Sequence, residues 1–298
     1  MRAAVGRSGG RAVGVAVALL TAGPPVRLSA QTGSLVAVLP GSARAAGMGG
    51  AGAAMVGDAG AIFANPAGLA TVHHLAIEGS YEAYPTGVTL STGALALRVG
   101  RFTWGAGAAA LGPTYTSADL LGVSSLVLRT GMVAVGATAK YARETLGGAR
   151  VDAWAGDAGL AIAVFDLMAL GVSVQNIGGD FGQAAGGAHL PRRTRAGFTL
   201  NYIDPQGTLR LLTTLEGQWP AGGGSAFVVL GLESGVVTRG LGVLGRVGYV
   251  GHSGVTSAAP FTAGASVELG GGRLHLDYAY RADDALGARH RMGLRWMP

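Results

Sequence analysis

The chain has no cysteine, so a disulfide framework, a cysteine-ligated zinc site and a thiol nucleophile are all excluded. Charge is scarce as well. Asp, Glu, Lys and Arg together make up 13% of the 298 residues, where a water-soluble domain carries about a quarter. Beyond residue 30 there is no run of about 18 uninterrupted apolar residues, which rules out membrane-spanning helices in the mature part. What is present is 49% hydrophobic residues and 54 glycines. An apolar, charge-poor chain without spanning helices hides its hydrophobic content by alternating it along strands.

The formal net charge of +6 does not point to nucleic acid. Arg residues occur singly, no Lys/Arg block exists to track a phosphate backbone, and Arg2, Arg7 and Arg11 belong to what reads as an export signal. That signal, residues 1–30, has an apolar stretch from Ala12 to Ala22 and a cleavage site near Leu28-Ser29-Ala30. Residues 31–70 form a second region of Ala, Gly, Val, Met and small polar residues, with a loose helix expected from Ala43 to Met55.

From His73 onward the texture changes to period-two alternation, broken by Gly, Pro, Asp and Asn. Leu274, Leu276, Tyr278 and Tyr280 share one face of a segment whose other face carries Arg273, His275, Asp277 and Arg281. Such segments are expected near 73–82, 87–98, 102–112, 120–129, 132–143, 151–164, 167–177, 193–203, 208–219, 225–235, 240–250, 259–269, 272–281 and 288–297. The fold class is therefore an all-β transmembrane antiparallel barrel over residues 71–298, with fourteen strands. Twelve stays open, because 120–129 and 226–235 alternate poorly. Tyr81, Trp104, Tyr141, Trp154, Tyr202, Trp219, Tyr249 and Trp296 fall near segment ends, where amphipathic rings meet lipid headgroups. Outer-membrane lipid is the expected surrounding, with both termini periplasmic.

Three chemical signals lack the context that would make them sites. Gly47-Met48-Gly49-Gly50-Ala51-Gly52 matches the dinucleotide pattern, but the ribose-binding acid would fall at Val72 or His73 and no βαβ alternation follows. Small residues that let a segment fit inside a barrel explain it better. His73 and His74 are adjacent and point to opposite faces of a strand, so no metal site is read. No nucleophile elbow is present, and neither enzyme activity nor a cofactor is expected.

The feature with chemical content is the inward row of charges. Glu78, Lys140, Asp157, Arg195, Arg210, Glu216, Arg246, Glu268, Arg273, Asp277, Arg289, Arg291 and Arg295 all fall on lumen-facing positions. Pairing between neighbouring strands, and between wall and plug, is their expected role. The last two segments place four Arg against one Asp, which invites an anion, a lipid phosphate or plug carboxylates.

Ser42-Ala43-Arg44-Ala45-Ala46-Gly47-Met48-Gly49-Gly50-Ala51, then Asp58, Ala61 and Asn65-Pro66-Ala67-Gly68-Leu69-Ala70, resemble the amino-terminal region of the PorV/PorQ family, relatives of FadL-like fatty-acid transporters. The resemblance continues in Val174-Gln175-Asn176-Ile177-Gly178, in Leu190-Pro191-Arg192 leading into Ala196-Gly197-Phe198, and in Leu286-Gly287 with His290-Arg291-Met292-Gly293-Leu294. It implies a fourteen-stranded barrel whose amino-terminal segment plugs the lumen from the periplasmic side, with Asn65, Pro66, Ala67 and Gly68 in the plug. Pro66 would fix a turn and Asn65 would tie its side chain to nearby backbone. The chain is much shorter than FadL-like transporters and lacks long surface loops. The resemblance implies a secretion-associated scaffold whose partners are secretion components or exported proteins. Its alternative is passive uptake of hydrophobic small molecules, which needs an apolar lining. The lumen inferred from sequence is charged or small, so the scaffold is favoured.

Overall fold

Where the alternation predicts strands, strands form. They are β1 (Leu75–Ala83), β2 (Thr89–Val99), β3 (Phe102–Gly112), β4 (Asp119–Thr130), β5 (Val133–Leu146), β6 (Ala149–Val164), β7 (Met168–Gly178), β8 (Arg193–Ile203), β9 (Leu209–Pro220), β10 (Phe227–Thr238), β11 (Leu241–Val250), β12 (Ala258–Leu269), β13 (Leu274–Asp283) and β14 (Arg289–Trp296). The computed structural model describes residues 36–113, 118–146, 148–164, 167–182, 186–204, 207–222, 224–238, 240–251, 258–283 and 288–298. All of them belong to one compact unit, Gly33–Pro298. The expected signal at 1–30 and the Leu286-Gly287 pair lie outside the described residues.

Each strand pairs antiparallel with its sequence neighbours and β14 closes on β1, giving a closed fourteen-strand barrel. Closure satisfies every strand's backbone within the wall, the condition for crossing hydrocarbon. The seam is specified by charge: Glu78 stands opposite Arg295, and Glu82 opposite Arg291. A slip of one residue would turn these groups outward.

β4 and β10, the two segments with weak alternation, are full members of the wall. Their inner rows are partly apolar because they face apolar contents: Leu121, Val123 and Val127 on β4 and Val229 on β10 are buried inside the barrel. Alternation is lost where both faces of a strand meet apolar surroundings.

The outward rows carry the exposed large hydrophobics, such as Leu126, Leu230 and Val247. Aromatic rings gather at two levels. Phe102, Trp104, Tyr202 and Trp296 lie near the rim where β1 begins and β14 ends, called here the terminal rim. Tyr81, Trp154, Trp219, Tyr249 and Phe261 lie near the opposite, far rim. Two such girdles bracket the apolar band of a membrane barrel.

The helix expected from Ala43 to Met55 is shorter, α1 (Ala43–Gly47), capped by the Ser42 hydroxyl accepting from the Ala45 N–H. Gly49 and Gly50 stop it by taking φ of 73° and 83°, a conformation that leaves the right-handed helix and suits glycine.

Candidate functional site

The amino-terminal segment fills the lumen lengthwise. Leu39 and Pro40 border Glu82, Arg289 and Arg291 on the far-rim side, whereas Asp58, Thr71 and His73 border a cavity at the terminal rim. In between run α1, a 3-10 turn over Ala59–Phe63 and another over Pro66–Thr71. The described part of this plug therefore runs through the barrel toward β1.

One side of the plug is fastened by charge. Arg44 of α1 pairs with plug Asp58 at 2.6 Å and with Glu233 of β10 at 2.7 Å. Asp58 pairs with Arg295 of β14 at 2.6 Å, and Arg295 with Asp277 of β13 at 2.6 Å. Asp277 pairs with Arg246 of β11 at 2.8 Å, and Arg246 returns to Glu233. Three guanidiniums and three carboxylates thus alternate around a closed, neutral ring joining plug and wall. Burial opposes charge on both plug members, but their neighbours prevail. Asp58 is held well below the usual carboxylate range by Arg44 and Arg295, and Arg44 is raised by Asp58 and Glu233.

Further anchors surround this ring. Glu216 accepts from the Gly52 and Ala53 N–H groups at 2.7 and 2.6 Å and from Arg195 Nε at 2.7 Å. Arg195 also donates to the Gly50 carbonyl. Arg291 donates to the Pro40 carbonyl at 2.6 Å and to Ser80, Thr92 and Glu82. Asn65 Nδ2 donates to the Ala53 and Leu160 carbonyls, while its Oδ1 accepts from the Ala67 N–H and caps the turn that Pro66 begins. Pro66, Ala67 and Gly68 are buried in that turn. A methyl group on Gly171 would overlap the Ala53 carbonyl, and one on Gly159 would overlap Asn65 Oδ1.

Against β2–β5 the plug is held differently. Ile62 and Leu69 pack on Gly105, and Phe63 packs on Gly107 beside Val123. These side chains join Leu90, Ala96, Val127 and Ala134 in one buried apolar cluster. Among the described residues, no ion pair links the plug to these four strands.

Of the charges expected in the lumen, Glu78, Lys140, Asp157, Arg195, Glu216, Arg246, Glu268, Asp277, Arg291 and Arg295 are buried in it. Arg289 pairs with Glu82 at 3.8 Å, and Arg210, partly exposed, pairs with Glu268 at 3.1 Å. Arg273 is a correction. It lies in the β12–β13 turn and is exposed, because β13 begins one residue later and the turn carries the side chain out of the inward row. Lys140 pairs with Asp157 at 2.8 Å and donates to Asn176, whose amide reaches the Pro191 carbonyl. Asn176 has φ 57° beside a bulge between β6 and β7, so two motifs distant in sequence meet at one buried charge.

Sequence reasoning offered plug carboxylates as one partner for the last strands without singling out Asp58, and it missed Arg44, since the plug has no alternation to place them. It missed Glu233 because β10 alternates poorly. The signal available was arithmetic: the last strands carry more Arg than acid, and Asp58 supplies part of the difference.

A cavity of about 630 Å3 lies at the terminal rim. Met55, Val72, Leu75, Leu167, Met168, Ile203, Leu212, Leu244 and Met297 supply an apolar lining, with Arg44, Asp58, Arg210, Glu233, Glu268, His275 and Arg295 on the charged side. The sequence reading of a lumen without apolar lining is corrected by this cavity and by the β2–β5 cluster. Large apolar residues of the plug create much of that lining, which strand alternation alone does not register.

No protein-family model and no curated protein matches the chain. Solved structures do. The Ralstonia pickettii toluene transporter TbuX superposes with a TM-score of 0.57 at 15% identity, covering 86% of this chain and 98% of that one. A Pseudomonas aeruginosa FadL homologue gives 0.58 at 13%, covering 86% and 98%. The Pseudomonas putida toluene transporter TodX gives 0.56 at 10%, covering 85% and 96%. None of these three is a PorV- or PorQ-type protein. At such identities the likeness is one of fold.

Proposed function

We propose that the chain is an outer-membrane channel for passive uptake of hydrophobic small molecules, closed by its own plug. The observation that carries this reading is the division of the lumen into a charged side that anchors the plug and an apolar side over β3–β5 that packs against it without an ion pair, with Thr92 of β2 adding one hydrogen bond to the Gly41 carbonyl. A plug fastened on one side yields on the other. Displacing Ile62, Phe63 and Leu69 from the β3 and β4 wall exposes apolar surface that an apolar solute covers, so passage costs less for that solute than for a polar one. The hydrocarbon transporters of the same fold support the reading.

The terminal rim faces the periplasm in this proposal. Its connections span two to five residues, whereas the far rim has connections of up to fourteen, between Gly178 and Arg193. Short periplasmic turns and longer outer loops are the pattern of such barrels.

Uptake of radiolabelled toluene and of glucose into intact cells with and without the protein tests the function. Faster toluene entry with unchanged glucose entry is the expected result. Equal toluene entry in both strains refutes uptake.

A further inference from the structure

Most charges inside the barrel are paired, Glu78 and Arg193 being held by the Gly60 N–H and by Gln218 instead, and unpaired arginines gather along one arc of the terminal rim. Arg98, Arg101, Arg129 and Arg273 have no carboxylate within ion-pair distance among the described residues. Arg98 Nε donates to the Gly100 carbonyl and Arg129 Nε to the Gly131 carbonyl, both at 3.1 Å. Backbone oxygens thus hold both guanidiniums in place without neutralising them. The arc is continuous, because backbone bonds link Arg98 to His74, Arg129 to Arg101 and Met297 to Arg273 around the closed wall. Across the rim, Asp204 is the one carboxylate described in these connections, and it caps its own turn by accepting from the Leu209 N–H.

Strand parity decides where this charge points. Arg98 lies two residues beyond Ala96 and Arg129 two beyond Val127, both on inward rows, and Arg129 borders the apolar cavity. The outward neighbours Leu97, Val99 and Leu126 are exposed hydrophobics. The positive charge of Arg98 and Arg129 therefore overhangs the mouth and does not face the lipid, while Arg101 and Arg273 stand exposed in turns of the same rim. Leu167, Met168 and Met297 supply apolar lining to the cavity that Arg129 borders.

We propose that this mouth docks an acidic, partly apolar polypeptide segment of a soluble partner, its carboxylates on the arginine arc and its apolar side chains in the cavity. Uncompensated charge at a concave mouth raises the local concentration of an oppositely charged partner and accelerates its association. The docking stands on the arc and the cavity alone. Only its location in the periplasm rests on the orientation proposed above.

Full-length protein in nanodiscs of zwitterionic lipid is titrated with a short synthetic peptide alternating Glu and Leu, and with its Lys–Leu counterpart. The Glu–Leu peptide binds, and added salt slows its association. Replacing Arg98, Arg101, Arg129 and Arg273 together by Gln slows association roughly tenfold. Leu167→Ser, at a side chain 56% exposed, speeds dissociation and leaves association unchanged. Heat-modifiable migration on SDS gels verifies that each variant retains its barrel. Equal binding of the Lys–Leu peptide, or unchanged association in the quadruple variant, overturns the proposal. So does a failure of the peptide to bind while the wild type, and not the variant, prefers nanodiscs containing phosphatidylglycerol, since that assigns the arc to lipid headgroups. Labelling that places the terminal rim outside the cell overturns the orientation and leaves the docking result intact.

Discussion

Gly171 lies on the inward row of β7, where a methyl group would overlap the carbonyl of Ala53. The strand gains nothing from glycine there, since strand interiors favour bulkier residues. The plug requires it. Gly171→Ala is expected to fold as a barrel but to push Ala53 away from the wall, at a cost of about 1–3 kcal/mol. Protease sensitivity of the plug should rise while the heat-modifiable barrel band persists, and an unchanged digestion pattern would contradict the close approach described. Such a glycine looks in the sequence like any other in a chain that has 54 of them. Asn65 was more legible, because an Asn before Pro announces a turn, and its side chain does cap one. Its bond to Leu160 depends on the wall being in place.

At the scale of elements, α1 and the wall strands β10, β11, β13 and β14 are joined by the ion ring. Arg44→Ala leaves Asp58 and Glu233 each short of a partner, and loss of one member of a buried pair costs about 3–5 kcal/mol. Removing Arg44 and Asp58 together should destabilise plug docking by less than the two single losses added, a non-additivity that a double-mutant cycle reads directly. Strictly additive losses would mean the ring does not act as a unit. The pH response follows from Asp58. Its folded pKa is depressed, so the stability it contributes is fully present above its unfolded value of about 3.9 and is lost only as pH falls through the lower folded value. Its contribution to plug protection should therefore be equal at about pH 7 and about pH 5 and decay below about pH 3. A wild-type plug that loosened between pH 7 and 5 to the level of Asp58→Asn would count against this assignment. The strands themselves were legible from alternation, whereas α1 was not bounded correctly, because the positive φ at Gly49 and Gly50 reflects how the plug lies against the wall.

For the whole molecule, the absence of cysteine becomes a practical advantage. Arg101→Cys in the β2–β3 turn and His189→Cys in the β7–β8 connection place single thiols at opposite rims. A membrane-impermeant maleimide applied to intact cells should label the residue 189 variant and spare the residue 101 variant until the outer membrane is permeabilised. The reverse pattern would invert the proposed orientation. Closure of the barrel also explains the distribution of charge. Arg195, Arg246, Arg291 and Arg295, scattered along the sequence, converge on the lumen because each occupies an inward position of its own strand, and the closed wall turns those positions toward one axis.

The sequence by itself determined most of the strands and which row of each faces inward, because these follow from a two-residue period repeated locally, while closure of the wall decided fourteen strands over twelve. The tertiary structure alone decided which charges meet, how the plug runs through the lumen and where the lining is apolar. Those contacts join residues as far apart as Asp58 and Arg295, and only closure of β14 on β1 brings them within reach.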